Sequence, residues 1–317
     1  MGYRKVIKSG YFVESFEYEK SLQPHQTGGR KGSYDSGYRK NTARRADNVK
    51  RAITAFRRLV WSNALRDQDI TLLTFTMFEK LSVDTSWGFF TKFFDSFRDR
   101  VGNKDLKYIA VLEFQPKSGN VHFHVLVWGL PDHFILHEGS TGTRKYGERS
   151  RKRFAEWLEK KGYSVSEMRN DRTIQNLWRR GYVDCLPTDG SPALAYYLSN
   201  YLAPTLRDVR LGGRRGYSAS RNVLRPVFTG SSEFTDSELE ELGVSGDPLY
   251  HREFSTEWQG KCWYDAFDIT GKVINESAYK NMMGWTMAEA AEYKKLLIHS
   301  RFVDKRKGDS IAERSTV

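Results

Sequence analysis

The sequence predicts an α+β fold, with a central antiparallel β-sheet and helices packed on one face. Three observations carry this reading. Leu106–Gly129, LKYIAVLEFQPKSGNVHFHVLVWG, holds two β-rich runs about a Pro-Lys-Ser-Gly turn, which reads as a hairpin and therefore as an antiparallel pair. Segments with apolar residues at helical spacing alternate with the β-rich runs. Hydrophobic residues make up 39% of the 317 positions, enough to bury a substantial core.

Taken in order, residues 1–40 are rich in Gly, Ser, Tyr and basic side chains and read as a flexible basic arm. Asn41–Leu65 reads as an amphipathic helix, with Val49, Ile53, Phe56 and Val60 on one side and Arg and Lys on the other. Asp69–Thr76, DITLLTFT, reads as a strand. Asp84–Val101 reads as a helix opened by Asp and Ser caps, with Phe90, Phe93, Phe94 and Phe97 on its apolar side. The hairpin follows, then the helix RKRFAEWLEKKG and the short strand GYVDCLP. Ser191–Pro204 reads as a helix with Ser191 as N-cap, Pro192 in the first turn and Pro204 as its stop. RNVLRPVF closes the domain as a strand, so that 41–229 is one unit. Residues 230–317 read as an acidic, partly helical extension.

The net charge of +12 is unevenly placed. Residues 1–66 carry +10 and 205–229 carry +5, whereas 230–317 carry −5. Basic blocks around an apolar domain are the footprint of a nucleic-acid binder. They nominate Arg44, Arg45, Lys50 and Arg51 in the first block, and Arg207, Arg210, Arg214, Arg215, Arg221 and Arg225 in the later one, as phosphate contacts. Two cysteines, Cys185 and Cys262, exclude a disulfide framework and a cysteine-based zinc site. No apolar run reaches membrane-spanning length and no signal-peptide core is seen, so a cytoplasmic protein is expected. GGRKG lacks the spacing of a phosphate-binding loop, so an attached ATP-driven helicase is not expected.

Within VHFHVLVWG, alternation puts His122 and His124 on one face and Val121, Phe123, Val125 and Val127 on the other. The valine side is expected to meet the helices, leaving the histidine side open. Folding the hairpin about Pro116–Gly119 sets Gln115 opposite Asn120 and Glu113 opposite His122, on the histidine face. Two imidazoles and one carboxylate can hold a divalent ion and leave positions for water or phosphate oxygens, which is a catalytic layout. In AYYLSNYLAP, Tyr197 and Tyr201 are four apart and share a helical face, while Tyr196 points elsewhere and Leu194, Leu198 and Leu202 form a docking stripe. A tyrosine hydroxyl beside a cation can attack a phosphodiester and conserve the bond as a phosphotyrosyl ester.

The order of three motifs resembles the HUH endonucleases, and among them the rolling-circle replication initiators (Rep proteins) of plasmids and single-stranded DNA phages. TLLTFT resembles the first motif, a strand near the DNA that adds Thr74 and Thr76 as DNA contacts. VHFHV resembles the second, with Glu113 as third ligand, and YLSNYL resembles the two-tyrosine third motif. The resemblance implies an HUH or RRM-like sheet and Mn²⁺ or Mg²⁺ on Glu113, His122 and His124. It also implies strand-specific nicking and rejoining of single-stranded DNA or an origin hairpin through Tyr197 and Tyr201, with a host helicase and polymerase as partners. The family's lysine three residues after the first tyrosine is here Asn200, and Arg207 is the basic residue nearby in sequence that could substitute. A related transposase or relaxase shares the chemistry, although relaxases commonly carry three histidines and an N-terminal tyrosine, and neither is seen here. A non-catalytic nucleic-acid-binding module is the reading from another class. It calls for stacking aromatics on the open face, where this sequence places Glu113 and two histidines.

Overall fold

The computed structural model describes residues 3–20, 46–64, 69–135, 148–164, 173–188, 190, 193–231, 235–256 and 259–269. These form two five-stranded antiparallel sheets and the helices around them, so the α+β class holds.

The predicted sheet has the order β6-β3-β5-β4-β7, with β3 at Ile70–Thr76, β4 at Lys107–Phe114, β5 at Val121–Trp128, β6 at Val183–Pro187 and β7 at Tyr217–Ala219. Its hairpin has the expected register: Glu113 pairs with His122, and the Gln115 N–H donates to the Asn120 carbonyl at 2.9 Å. Gly119 closes the turn with φ of 70°, a conformation most side chains avoid.

One face of this sheet meets α2 (Val83–Val101), as predicted. Phe90 packs on Phe123 and Phe75 with ring centroids 4.7 and 6.1 Å apart. The helix starts one residue before Asp84 and is capped by Ser82, whose hydroxyl accepts from the Thr85 N–H, rather than by the predicted Asp and Ser. Trp178, at the end of α5 (Thr173–Trp178), joins the same aromatic cluster.

The expectation that helices cover one face only is corrected. The histidine face is covered by α6 (Ala193–Arg207), which is itself backed by α1 (Ala46–Asn63). Phe123 and His124 are adjacent and point oppositely; Phe123 meets α2 and His124 meets Tyr201 of α6. The reason lies in α6 itself: Leu194, Leu198 and Leu202 form the predicted stripe, and all three are buried. Pro204 does not end α6 but lies inside it. It lacks the N–H that would pair with the carbonyl one turn back, yet the helix runs on to Arg207.

The reading of residues 1–40 as an arm is also corrected for its described part. β1 (Tyr3–Ser9) and β2 (Phe12–Tyr18) form a hairpin turned at Gly10. They lie within a second sheet of order β8-β1-β2-β10-β9, with β8 at Val227–Ser231, β9 at Tyr250–Thr256 and β10 at Gly260–Asp268. Strands β8, β9 and β10 thus replace the closing strand RNVLRPVF and much of the partly helical extension. The helix α7 (Asp236–Glu241), with a capping box between Thr235 and Glu238, is the helical part described there. Helix α4 (Glu148–Lys161) stands where predicted, and a short helix α3 (Asp132–Ile135) follows the hairpin.

Helix α1 joins the two sheets. On one side the Trp128 indole N–H donates to the Asn63 carbonyl. On the other, Trp61 packs on Phe12 with centroids 5.1 Å apart. Arg58 grips the buried Glu14 through two bonds of 2.6 and 3.0 Å, and the Tyr264 hydroxyl donates to the same carboxylate at 3.0 Å. Buried charge is tolerated only when paired and hydrogen-bonded in this way.

Candidate active site

Three strands and one helix bring the candidate residues together. Antiparallel pairing places Glu113 (β4) beside His122 (β5), and Thr76 (β3) on its other side. Thr74 stands opposite His124 in the next row of the same face. Ligand atoms of Glu113, His122 and His124 all lie within 4.8 Å of one another. His124 is 6% exposed; its Nε2 lies 2.8 Å from a Glu113 oxygen, and its buried Nδ1 has no hydrogen-bond partner. Two ring nitrogens and a carboxylate oxygen, converging from a rigid hairpin, fit a divalent cation.

Helix α6 lays its tyrosines over this cluster. The Tyr201 ring stacks on the His124 ring, with centroids 3.8 Å apart and planes 17° from parallel. Its hydroxyl donates to the Tyr197 hydroxyl at 2.9 Å. Burial, then the bond to Tyr197 and the nearby charges of Tyr197 and Glu113, hold the Tyr201 phenol well above its ordinary pKa, so it stays protonated. Tyr197 is 40% exposed, one hydroxyl further out. Tyr196 turns away and sits under Arg57, whose guanidinium carbon is 5.6 Å from its ring centroid.

The predicted DNA contacts scatter more widely. Arg44 and Arg45 lie outside the described residues. Lys50 and Arg51 are exposed on α1, where Arg51 donates to the Asn48 side chain. Arg207 is exposed at the end of α6, and Arg215, Arg221 and Arg225 are exposed on the segments that follow. Arg214 pairs with Asp84 at 2.6 Å, and Arg210 pairs with Asp208 while lying over the Phe114 ring. The Thr76 hydroxyl bonds to the backbone of Tyr182.

Two features escaped the sequence reading. Asp184 stands opposite Thr74 in β6, on the histidine face, and is 9% exposed; a lone carboxylate in the apolar run VDCLP was the available signal. The stacking of Tyr201 on His124 needed the position of α6, which no local pattern supplies.

Residues 70–206, from β3 into α6, match the family model of the replication-associated protein ORF2/G2P. The match bears out the resemblance to Rep-type replication initiators. The matched segment contains Glu113, His122, His124, Tyr197 and Tyr201. No curated protein and no solved structure gives a match. Among the described residues no helix is long and apolar enough to cross a membrane.

Proposed function

We propose that this protein is replication-associated: a metal-dependent, strand-specific endonuclease and ligase for single-stranded DNA that initiates rolling-circle replication. The observation that carries the reading is the seating of a two-tyrosine helix on a two-histidine, one-carboxylate cluster, through the Tyr201–His124 stack. We place the nicking unit within residues 41–229.

Glu113, His122 and His124 would hold Mn²⁺ or Mg²⁺, which supplies Lewis acidity toward a phosphate oxygen when bound. Tyr197 is the first nucleophile. It is the more exposed of the pair, and the hydrogen bond it accepts from Tyr201 orients its oxygen lone pairs. Its oxygen attacks phosphorus, the bond from phosphorus to the 3′ oxygen breaks, and the tyrosine's proton is made good on that oxygen through solvent. The products are a 5′-phosphotyrosyl ester and a free 3′-OH that primes synthesis. Tyr201, the less exposed of the pair, serves as the nucleophile of the second transfer. Asn200 is exposed on α6 and contributes no cation; Arg207, two turns further on, is the basic residue of that helix's last turn. The acting compartment is the cytoplasm, with host helicase and polymerase completing the replisome.

The test is a nicking assay on single-stranded origin DNA with and without divalent metal, followed by peptide mapping of the covalent adduct. Metal-dependent adduct on Tyr197 is the expected result. An adduct on Tyr196, or cleavage unchanged after metal removal, overturns the reading.

A further inference from the structure

We propose that Phe78 and Tyr182 form a stacking subsite for an unpaired base of the bound strand, at the end of the β3–β6 pairing beyond Thr76. This rests on the reading of the site as one for single-stranded DNA, and adds a place where a base is held.

The two rings are among the most exposed large apolar side chains described, at 61% and 45%. They meet edge to face, with centroids 5.0 Å apart and planes at 90°. Thr74 and Thr76 lie on the histidine side of β3, and Phe78 follows two residues beyond the end of that strand. Tyr182 immediately precedes β6, two residues before Asp184.

The platform is held by the backbone. Thr76 N–H donates to the Tyr182 carbonyl and Phe78 N–H to the Arg180 carbonyl, each at 2.8 Å, which extends the β3–β6 pairing past its regular end. Asn120, two residues before His122, donates from its side chain to the Met77 and Phe78 carbonyls, both at 3.1 Å, and so ties the platform to the histidine hairpin. Gly181 lets the strands approach: a Cβ there would stand 2.2 Å from the Thr76 carbonyl oxygen. Arg179 holds a left-handed φ of 52°, unique among the described non-glycine residues, and backbone strain of this kind gathers at ligand sites.

Beside Phe78 lies an open hollow of about 400 Å³, lined by Phe78, Gln175, Asn176, Arg179 and Gly181, with Arg179 as its charged member. Lys80 is exposed nearby, and the Arg180 guanidinium is stacked 3.7 Å above the Phe89 ring. Exposed aromatic faces flanked by cations are the composition of a single-strand binding groove, in which each base is stacked and the backbone neutralised.

The experiment is fluorescence anisotropy with the full-length protein in EDTA, which separates binding from cleavage. Two labelled probes of equal length and charge are compared, an oligodeoxythymidine and an abasic strand. Phe78→Ala and Tyr182→Ala should each weaken oligodeoxythymidine binding by about fivefold or more. Affinity for the abasic strand should stay unchanged, and Phe78→Trp should restore binding. Thermal melting of each variant checks the fold, which an exposed ring barely supports. If Phe78→Ala binds oligodeoxythymidine like the wild type, or loses both probes equally, the subsite is overturned and the rings serve another contact. Wild-type protein that binds neither strand would instead sink the proposed function itself.

Discussion

The Tyr201 ring lies flat on the His124 ring, 3.8 Å centroid to centroid, while its hydroxyl reaches Tyr197. One side chain therefore contacts both the histidine cluster and the second tyrosine, so each hydroxyl can be tested separately. Phenylalanine keeps the stack and removes only the oxygen. Tyr197→Phe is expected to lose most of the initial covalent adduct, and Tyr201→Phe mainly the later strand transfer. The double variant should form none, and Tyr196→Phe should behave as wild type. Gel-resolved adducts on a suicide oligonucleotide provide the measurement.

The protonated Tyr201 also predicts an alkaline limit to stability. Its phenol is raised by burial first, then by the bond to Tyr197 and by the charges of Tyr197 and Glu113. A raised acid binds its proton more tightly folded than unfolded. Its contribution is therefore complete below the unfolded value of about 10 and is lost as pH rises through the folded value. Melting temperatures should fall as pH climbs past about 10, and Tyr201→Phe should flatten that decline.

Calorimetric titration with Mn²⁺ should show one site. Alanine at His122 or His124, or Glu113→Gln, should remove measurable binding and cleavage while single-stranded DNA binding persists. Saturating metal should raise the melting temperature of the wild type, because ligand held only by the folded state adds RT ln(1 + [L]/Kd) to stability. A wild-type melting temperature indifferent to metal would count against the site.

Arg58 and Glu14 are 14% and 2% exposed as side chains, and the pair is bidentate. Arg58→Ala leaves a carboxylate stranded in the core and should cost about 3 kcal/mol or more by denaturant unfolding. Arg58→Met combined with Glu14→Leu should recover much of that loss, since no charge is then left unpaired.

Affinity for single-stranded DNA should fall steeply with salt. Each genuine phosphate contact contributes about 0.7 to the slope of log K against log salt for a single strand. Arg207→Ala and Arg221→Ala, both at exposed positions, should each flatten the slope by about that amount. Slopes identical to wild type would remove them from the interface.

What the sequence made legible was local. The Glu113–His122 register follows from a four-residue turn and a two-residue period, and both are written in one short stretch. The Leu194, Leu198 and Leu202 stripe likewise follows from helical spacing. Alternation told which side the histidines face but not what covers that side, because α6 arrives from about 70 residues further along the chain. The strands β1 and β2 were hidden for the same reason. Their basic and glycine-rich neighbourhood suggested an arm, and the partners that make them strands, β8 and β10, stand more than 200 residues away.

That long-range pairing has a consequence for when the protein becomes competent during its own synthesis. The Tyr264 hydroxyl bonds to Glu14 across 250 positions, and Glu14 anchors Arg58 of the helix that backs α6. A ribosome has made every candidate catalytic residue long before it makes β10. Until that strand emerges and docks, Glu14 lacks one of its partners and the backing of α6 is incomplete. Contacts this distant form late, because loop closure must come first. A chain ended just before β10 should carry both tyrosines and both histidines and still form little of the proposed adduct, so that β10 times the onset of activity.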